Sequence, residues 1–167
     1  MGDFLVHWTA RLAIGCYAAR ALVDAAQRGD RRQRAARWLW TIGCGAYLLH
    51  VLAAFHFVHD WSHAAAYAHT ARQTAAVIGW EWGGGLWANY ALTAVWAADV
   101  AVWWGRGRAP TPAARAWGWF VHAFLAFMVL NATVVFGPWW WKPLAAGYAA
   151  LLAAAWRQGV SRKLAPP

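Results

Sequence analysis

Long apolar runs separated by short polar stretches dominate this chain of 167 residues. A helix needs about 20 mostly apolar residues to cross a bilayer. The runs at or near that length are 4–23, 38–58, 86–104, 117–136 and 143–156. The first four predict membrane spans. The fifth is shorter and rich in Ala and Leu, so it either spans the membrane beside the preceding tryptophans or lies in the interface.

The polar stretch between the second and third runs predicts a further helix. Residues 62–78 contain neither Pro nor Gly, and Asp60 and Ser62 are both residue types that cap helix N-termini. We expect this helix to rest on the membrane surface and to end at the glycines 83–85. Residues 105–116, which include two prolines, predict a loop. The chain is thus expected to be one all-α transmembrane domain over 1–167: a bundle of four to five transmembrane helices with an extracytoplasmic interfacial helix between spans two and three.

Composition supports this class and excludes others. The chain is 62% hydrophobic and only 13% charged, whereas soluble domains carry roughly 25% charged residues. This high apolar and low charged composition also excludes disordered chains and disulfide scaffolds. Although the net charge is +9, the basic residues stand in short blocks between apolar runs. The lipid bilayer, rather than nucleic acid, is therefore the expected partner.

The basic blocks also predict an orientation, because Lys and Arg in short loops stay on the cytoplasmic side. They follow the first span, the third span and the fifth span: Arg28, Arg31, Arg32, Arg34, Arg37; Arg106, Arg108, Arg115; Arg157, Arg162, Lys163. The opposite connections hold only Arg72 and Lys142. We therefore expect a multi-pass protein of the inner or plasma membrane with its N-terminus outside and its C-terminus in the cytoplasm.

Histidines are the chemically informative residues. If the second helix continues past Val58, His56, His59 and His63 recur at i, i+3 and i+7 and share one face. Imidazole is a ligand for zinc, copper, nickel and iron. The sequence therefore predicts a transition-metal site at the outer face. The expected ligands are His56, His59, His63, His69 and Glu81, and the residues expected to orient or support them are Asp60, Arg11 and His50.

One segment of this cluster resembles the zinc-binding helix of the metzincin proteases. His59-Asp60-Trp61-Ser62-His63 follows the pattern H-[DE]-x-x-H, and His69 stands at the third ligand position. The resemblance implies a zinc ion with Asp60 as the general base. Asp60 replaces the family's Glu, and Ala66 replaces its Gly.

The sequence also predicts two pairs of side chains on different helices. Haem needs two axial ligands at similar depth on different helices, which His7 and His56 satisfy at 1.5 Å per residue. Asp99 and His122 lie at similar depth on the third and fourth spans, so we expect them to form a hydrogen bond. The same histidines would serve equally as interfacial groups that hydrogen-bond lipid headgroups or neighbouring aromatic residues.

Three functional hypotheses follow. The leading one is a metal- or haem-binding redox module with its histidine cluster at the outer face, the cofactor being an ion such as zinc or copper, or haem. The second is a cofactor-free accessory subunit that packs against larger membrane partners or its own copies. The third is a membrane-embedded, metal-dependent hydrolase that uses Asp60 as the base.

Overall fold

The computed structural model describes residues 1–25, 30–106 and 111–164, and these ranges form six α-helices and no β-strand. The helices are α1 Gly2–Ala25, α2 Asp30–Phe57, α3 His63–Ile78, α4 Gly85–Arg106, α5 Pro112–Leu130 and α6 Trp141–Leu164. A π-helical segment, Asn131–Val135, continues α5. The expected all-α class is confirmed, and each apolar run of the sequence coincides with helical structure to within one residue.

Among the residues that the structure describes, two stretches are long and apolar enough to cross a membrane, Gln33–Phe57 and Pro112–Val135. They lie in α2 and in α5 with its π-helical extension, which correspond to the second and fourth predicted spans. This pair supports a membrane location for the protein.

The helices α1 and α2 pack as an antiparallel hairpin. His50 near the end of α2 hydrogen-bonds the carbonyl of Val6, and Arg20 near the end of α1 reaches the carbonyl of Ala36. Small residues let the two backbones approach: a Cβ on Gly43 would lie 3.0 Å from the Cys16 Cβ. Further contacts join α2 to α4, α4 to α5, α1 to α6 and α3 to α4.

The helix α2 ends at a tight corner. Asp60 and Trp61 both adopt left-handed backbone conformations, with φ of 47° and 58°, which disfavour a continued right-handed helix. Ser62 then caps α3, because its side chain accepts a hydrogen bond from the Ala65 amide at 3.2 Å. Of the two expected caps, Ser62 is the one that caps α3, and the helix predicted over 62–78 is confirmed.

Two predicted boundaries were wrong. Gly79, with φ of 75°, ends α3, because glycine adopts the left-handed conformation of a helix C-cap at little cost. The glycines 83–85 instead lead into α4. The predicted loop 105–116 is shorter than expected, since α5 begins at Pro112 behind the capping residue Thr111. Residues 107–110 of that loop lie outside the described residues.

Candidate functional site

The corner between α2 and α3 brings the histidines of the sequence motif together, and we call residues 56–69 the histidine turn. The expected stripe of His56, His59 and His63 required a continuous helix, and that premise was wrong. The left-handed residues 60 and 61 separate His59 from His63, which begins α3. The helical setting that the metzincin resemblance requires is therefore not formed.

Within the turn, His59 and His69 form a close pair. Their ring centroids lie 5.3 Å apart, with the rings inclined at 67°. His59 comes from the corner and His69 from α3, and both are half-buried. His59 also packs edge-on against Phe55. Among the described residues, no hydrogen bond engages a ring nitrogen of either histidine, so these nitrogens are open to a ligand.

His56 is oriented differently. It is exposed, and its Nδ1 accepts a hydrogen bond from the indole N–H of Trp61 at 3.3 Å. A neutral imidazole that accepts at Nδ1 carries its proton on Nε2. Neutral His56 therefore has no free nitrogen lone pair for a metal ion.

The remaining predicted ligands have other surroundings. His63 shares a 2.9 Å hydrogen bond with the hydroxyl of Tyr90 and packs against Trp87. Glu81 is exposed in the connection between α3 and α4, and Asp60 is exposed at the corner. Across residues 1–25, 30–106 and 111–164, no three His, Cys, Asp or Glu side chains group closely enough to hold a metal ion. The structure thus brings together one pair of the five expected ligands.

The environment of His59 favours its neutral form. Burial, and to a lesser extent the charge of His69, lowers the pKa of His59 below its ordinary value of 6.5. Desolvation acts in this direction because it disfavours the charged imidazolium. Neutral imidazole is the form that binds metal ions.

The expected haem pair, His7 and His56, does not offer two free nitrogens. The Nδ1 of His7 lies 2.7 Å from the carbonyl oxygen of Asp3. A carbonyl only accepts, so this Nδ1 donates and leaves the Nε2 lone pair of His7 free. His56 has no such lone pair when neutral. It lines an apolar groove of about 380 Å³ between α1 and α2, together with Leu5, Leu52 and Phe57.

Two of the three expected supporting residues, His50 and Arg11, contact residues outside the His59–His69 pair. The Nδ1 of His50 donates to the carbonyl of Val6 at 2.9 Å. The Arg11 guanidinium lies over the rings of Trp8 and Trp140. These partners lie on α1 and immediately before α6, whereas the His59–His69 pair lies between the end of α2 and α3.

A second polar group of interest is Asp99 on α4, which is 2% exposed. Its two oxygens accept hydrogen bonds from two indoles, Trp40 of α2 at 2.9 Å and Trp117 of α5 at 2.8 Å. Sequence reasoning missed these donors. The expected hydrogen bond to His122 stays a prediction; the His122 ring lies 5.1 Å from that of Trp40.

Arg20 completes this region, which we call the aromatic core: Tyr17, Arg20, Trp40, Trp96, Asp99, Trp103, Trp117 and His122. Its Nε donates to Asp24 at 2.9 Å, and its guanidinium lies 4.3 Å from the centroid of the Trp103 ring. The i, i+4 spacing of Arg20 and Asp24 is typical of a surface ion pair. Arg20 is in fact only 4% exposed, because tryptophan faces cover its cation.

Comparison of the chain with protein-family models, with curated proteins and with solved structures finds no match. The functional inference is therefore drawn from the geometry of these two regions.

Proposed function

We propose that the protein crosses the membrane five times, through α1, α2, α4, α5 and α6, with its N-terminus outside and its C-terminus in the cytoplasm. At 1.5 Å per residue, the 24 residues of α1 and α6 and the 22 of α4 extend about 33–36 Å. This exceeds the roughly 30 Å of a bilayer's hydrocarbon core. Large apolar side chains on these three helices are exposed, including Leu12, Val102 and Leu151, as lipid contact requires.

The direction of the helices is consistent with this topology. Arg11 of α1 contacts Trp140 just before α6, and Ala18 of α1 accepts a hydrogen bond from Tyr148 of α6. The contacts follow the same order along both helices, so α1 and α6 run parallel. In a protein with an odd number of spans, the first and the last helix cross the membrane in the same direction.

We further propose that the protein is a metal-binding module whose ligands are His59 and His69 at the outer membrane face. The observation that carries this proposal is their ring separation of 5.3 Å. With Zn–N bonds of about 2.0–2.1 Å and tetrahedral angles, two ligating imidazole centroids lie about 5 Å apart. Zinc sites with an open position hold three protein ligands and a water, so a partner's side chain and a water would complete the coordination.

The test is a zinc titration of the protein purified in mild detergent with a histidine-free affinity tag. Isothermal titration calorimetry should give one zinc ion per chain. His59→Gln and His69→Gln should each lower the affinity at least about tenfold, a loss of about 1.4 kcal/mol. His56→Gln is the matched control, because glutamine still accepts from the Trp61 indole; its zinc affinity should equal that of the unaltered protein.

Equal zinc binding by all three variants would overturn the assignment. A Soret band in the purified protein would favour haem instead. Stoichiometric membrane partners in a preparation that binds no zinc would favour the accessory subunit. For the hydrolase hypothesis, Asp60→Asn should abolish a hydrolytic activity while leaving the metal content unchanged.

A further inference from the structure

The guanidinium of Arg11 lies between two tryptophan rings. Its Cζ is 5.1 Å from the centroid of Trp8, which precedes it by about one turn of α1, and 5.6 Å from that of Trp140. Both distances are within the range of a cation–π interaction. The arrangement positions a planar cation where α1 meets the start of α6.

This cation has no carboxylate partner in the part of the chain that the structure describes. The whole chain contains six acidic residues. Of these, Asp24 pairs with Arg20, and Asp99 accepts from Trp40 and Trp117. A charged side chain on a membrane-facing helix is costly unless an anion or water compensates it. Compensation at Arg11 would thus come from water or from an anion other than a described carboxylate.

We propose that Arg11 binds the phosphate of an anionic phospholipid in the outer leaflet. Arginine binds phosphate with two parallel N–H donors, and indole rings favour the depth at which headgroups lie. Lys142 is exposed two residues after Trp140, which adds positive charge at this surface. Trp139, 77% exposed, offers an apolar surface for the acyl chains.

This inference rests on the proposal that α1 and α6 cross the membrane, and it is independent of the metal site. The two fail separately: an Arg11→Gln variant that has lost lipid binding should still bind zinc as the unaltered protein does.

The experiment measures lipid binding to the detergent-purified protein by native mass spectrometry, with phosphatidylglycerol and phosphatidylcholine offered in turn. We expect phosphatidylglycerol to bind selectively, and Arg11→Gln to weaken its binding about tenfold. Arg72→Gln is the matched control, since it removes an exposed cation from α3. It should leave lipid binding unchanged.

Three results would overturn the proposal. The first is undiminished phosphatidylglycerol binding by Arg11→Gln, and the second is equal binding of phosphatidylcholine. The third is a rise in melting temperature with inorganic phosphate equal to that with the lipid, which would assign the site to free phosphate. Should Arg11→Gln fail to fold, Arg11→Lys keeps the charge without the two-pronged donor. A several-fold weaker affinity is expected of it, and an unchanged affinity would count against the bidentate contact.

Discussion

Polar side chains in the aromatic core and in the histidine turn differ in their hydrogen bonding. In the core, Asp99 is buried and both of its oxygens accept indole N–H groups from other helices. In the turn, His59 and His69 are half-buried neighbours whose nitrogens have no hydrogen-bond partner among the described residues. A polar group that is satisfied within the chain stabilises the fold. The metal-binding function that we propose lies in the turn, where no such hydrogen bonds hold the nitrogens of His59 and His69 among the described residues.

The backbone shows the same contrast. The core residues lie on regular helices, whereas Asp60 and Trp61 adopt left-handed conformations. For non-glycine residues this conformation costs about 1–2 kcal/mol per residue. Strained backbone tends to occur at functional sites. The strained corner lies directly beside His59, and this position is consistent with the metal site that we propose there.

The largest effect is expected from Asp99→Leu. It removes the acceptor of the Trp40 and Trp117 indole N–H groups, and a buried donor left without an acceptor typically costs about 1–3 kcal/mol. Thermal unfolding in detergent, followed by tryptophan fluorescence, measures the loss. Asp24→Asn is the control, because its side chain is 45% exposed, and exposed ion pairs contribute up to about 1 kcal/mol. Equal losses from the two substitutions would remove the distinction between core and surface.

A smaller effect is expected at the corner. Asp60→Gly should leave the free energy of unfolding unchanged or slightly higher, because glycine adopts positive φ without steric cost. Asp60→Ala should be about 1 kcal/mol less stable than Asp60→Gly. Chemical unfolding of both variants measures the difference. Identical stabilities would contradict the left-handed conformation of residue 60.

The smallest effect concerns protonation of the turn. Since the folded state lowers the pKa of His59 below 6.5, the unfolded state binds more protons between the two values. Stability from His59 is thus full above pH 6.5 and declines as the pH falls through the lowered pKa. Titration of the metal-free protein by NMR measures that pKa directly. In His69→Gln the pKa of His59 should rise only part of the way to 6.5, because burial lowers it more than the charge of His69 does. A full return to 6.5 would show that His69 is the larger cause.

The helices were predictable because apolar run length is a local property of the chain. The Ser62 cap was predictable for the same reason, since a cap depends on neighbouring residues. The corner was not: neither Asp60 nor Trp61 is a glycine, so nothing in the pattern indicated left-handed backbone there. Extending the helix past Val58 therefore placed three histidines on one face, whereas the fold pairs His59 with His69.

The amino-acid pattern alone determined the all-α class and the positions of the helices, because burial of apolar runs and helix capping act over short stretches. Tertiary structure alone decided that two indoles from different helices meet Asp99 and that one histidine pair has open nitrogens. These contacts join residues distant in the chain. They depend on how each helix is rotated about its axis and where a corner turns, and the apolar periodicity leaves both undetermined.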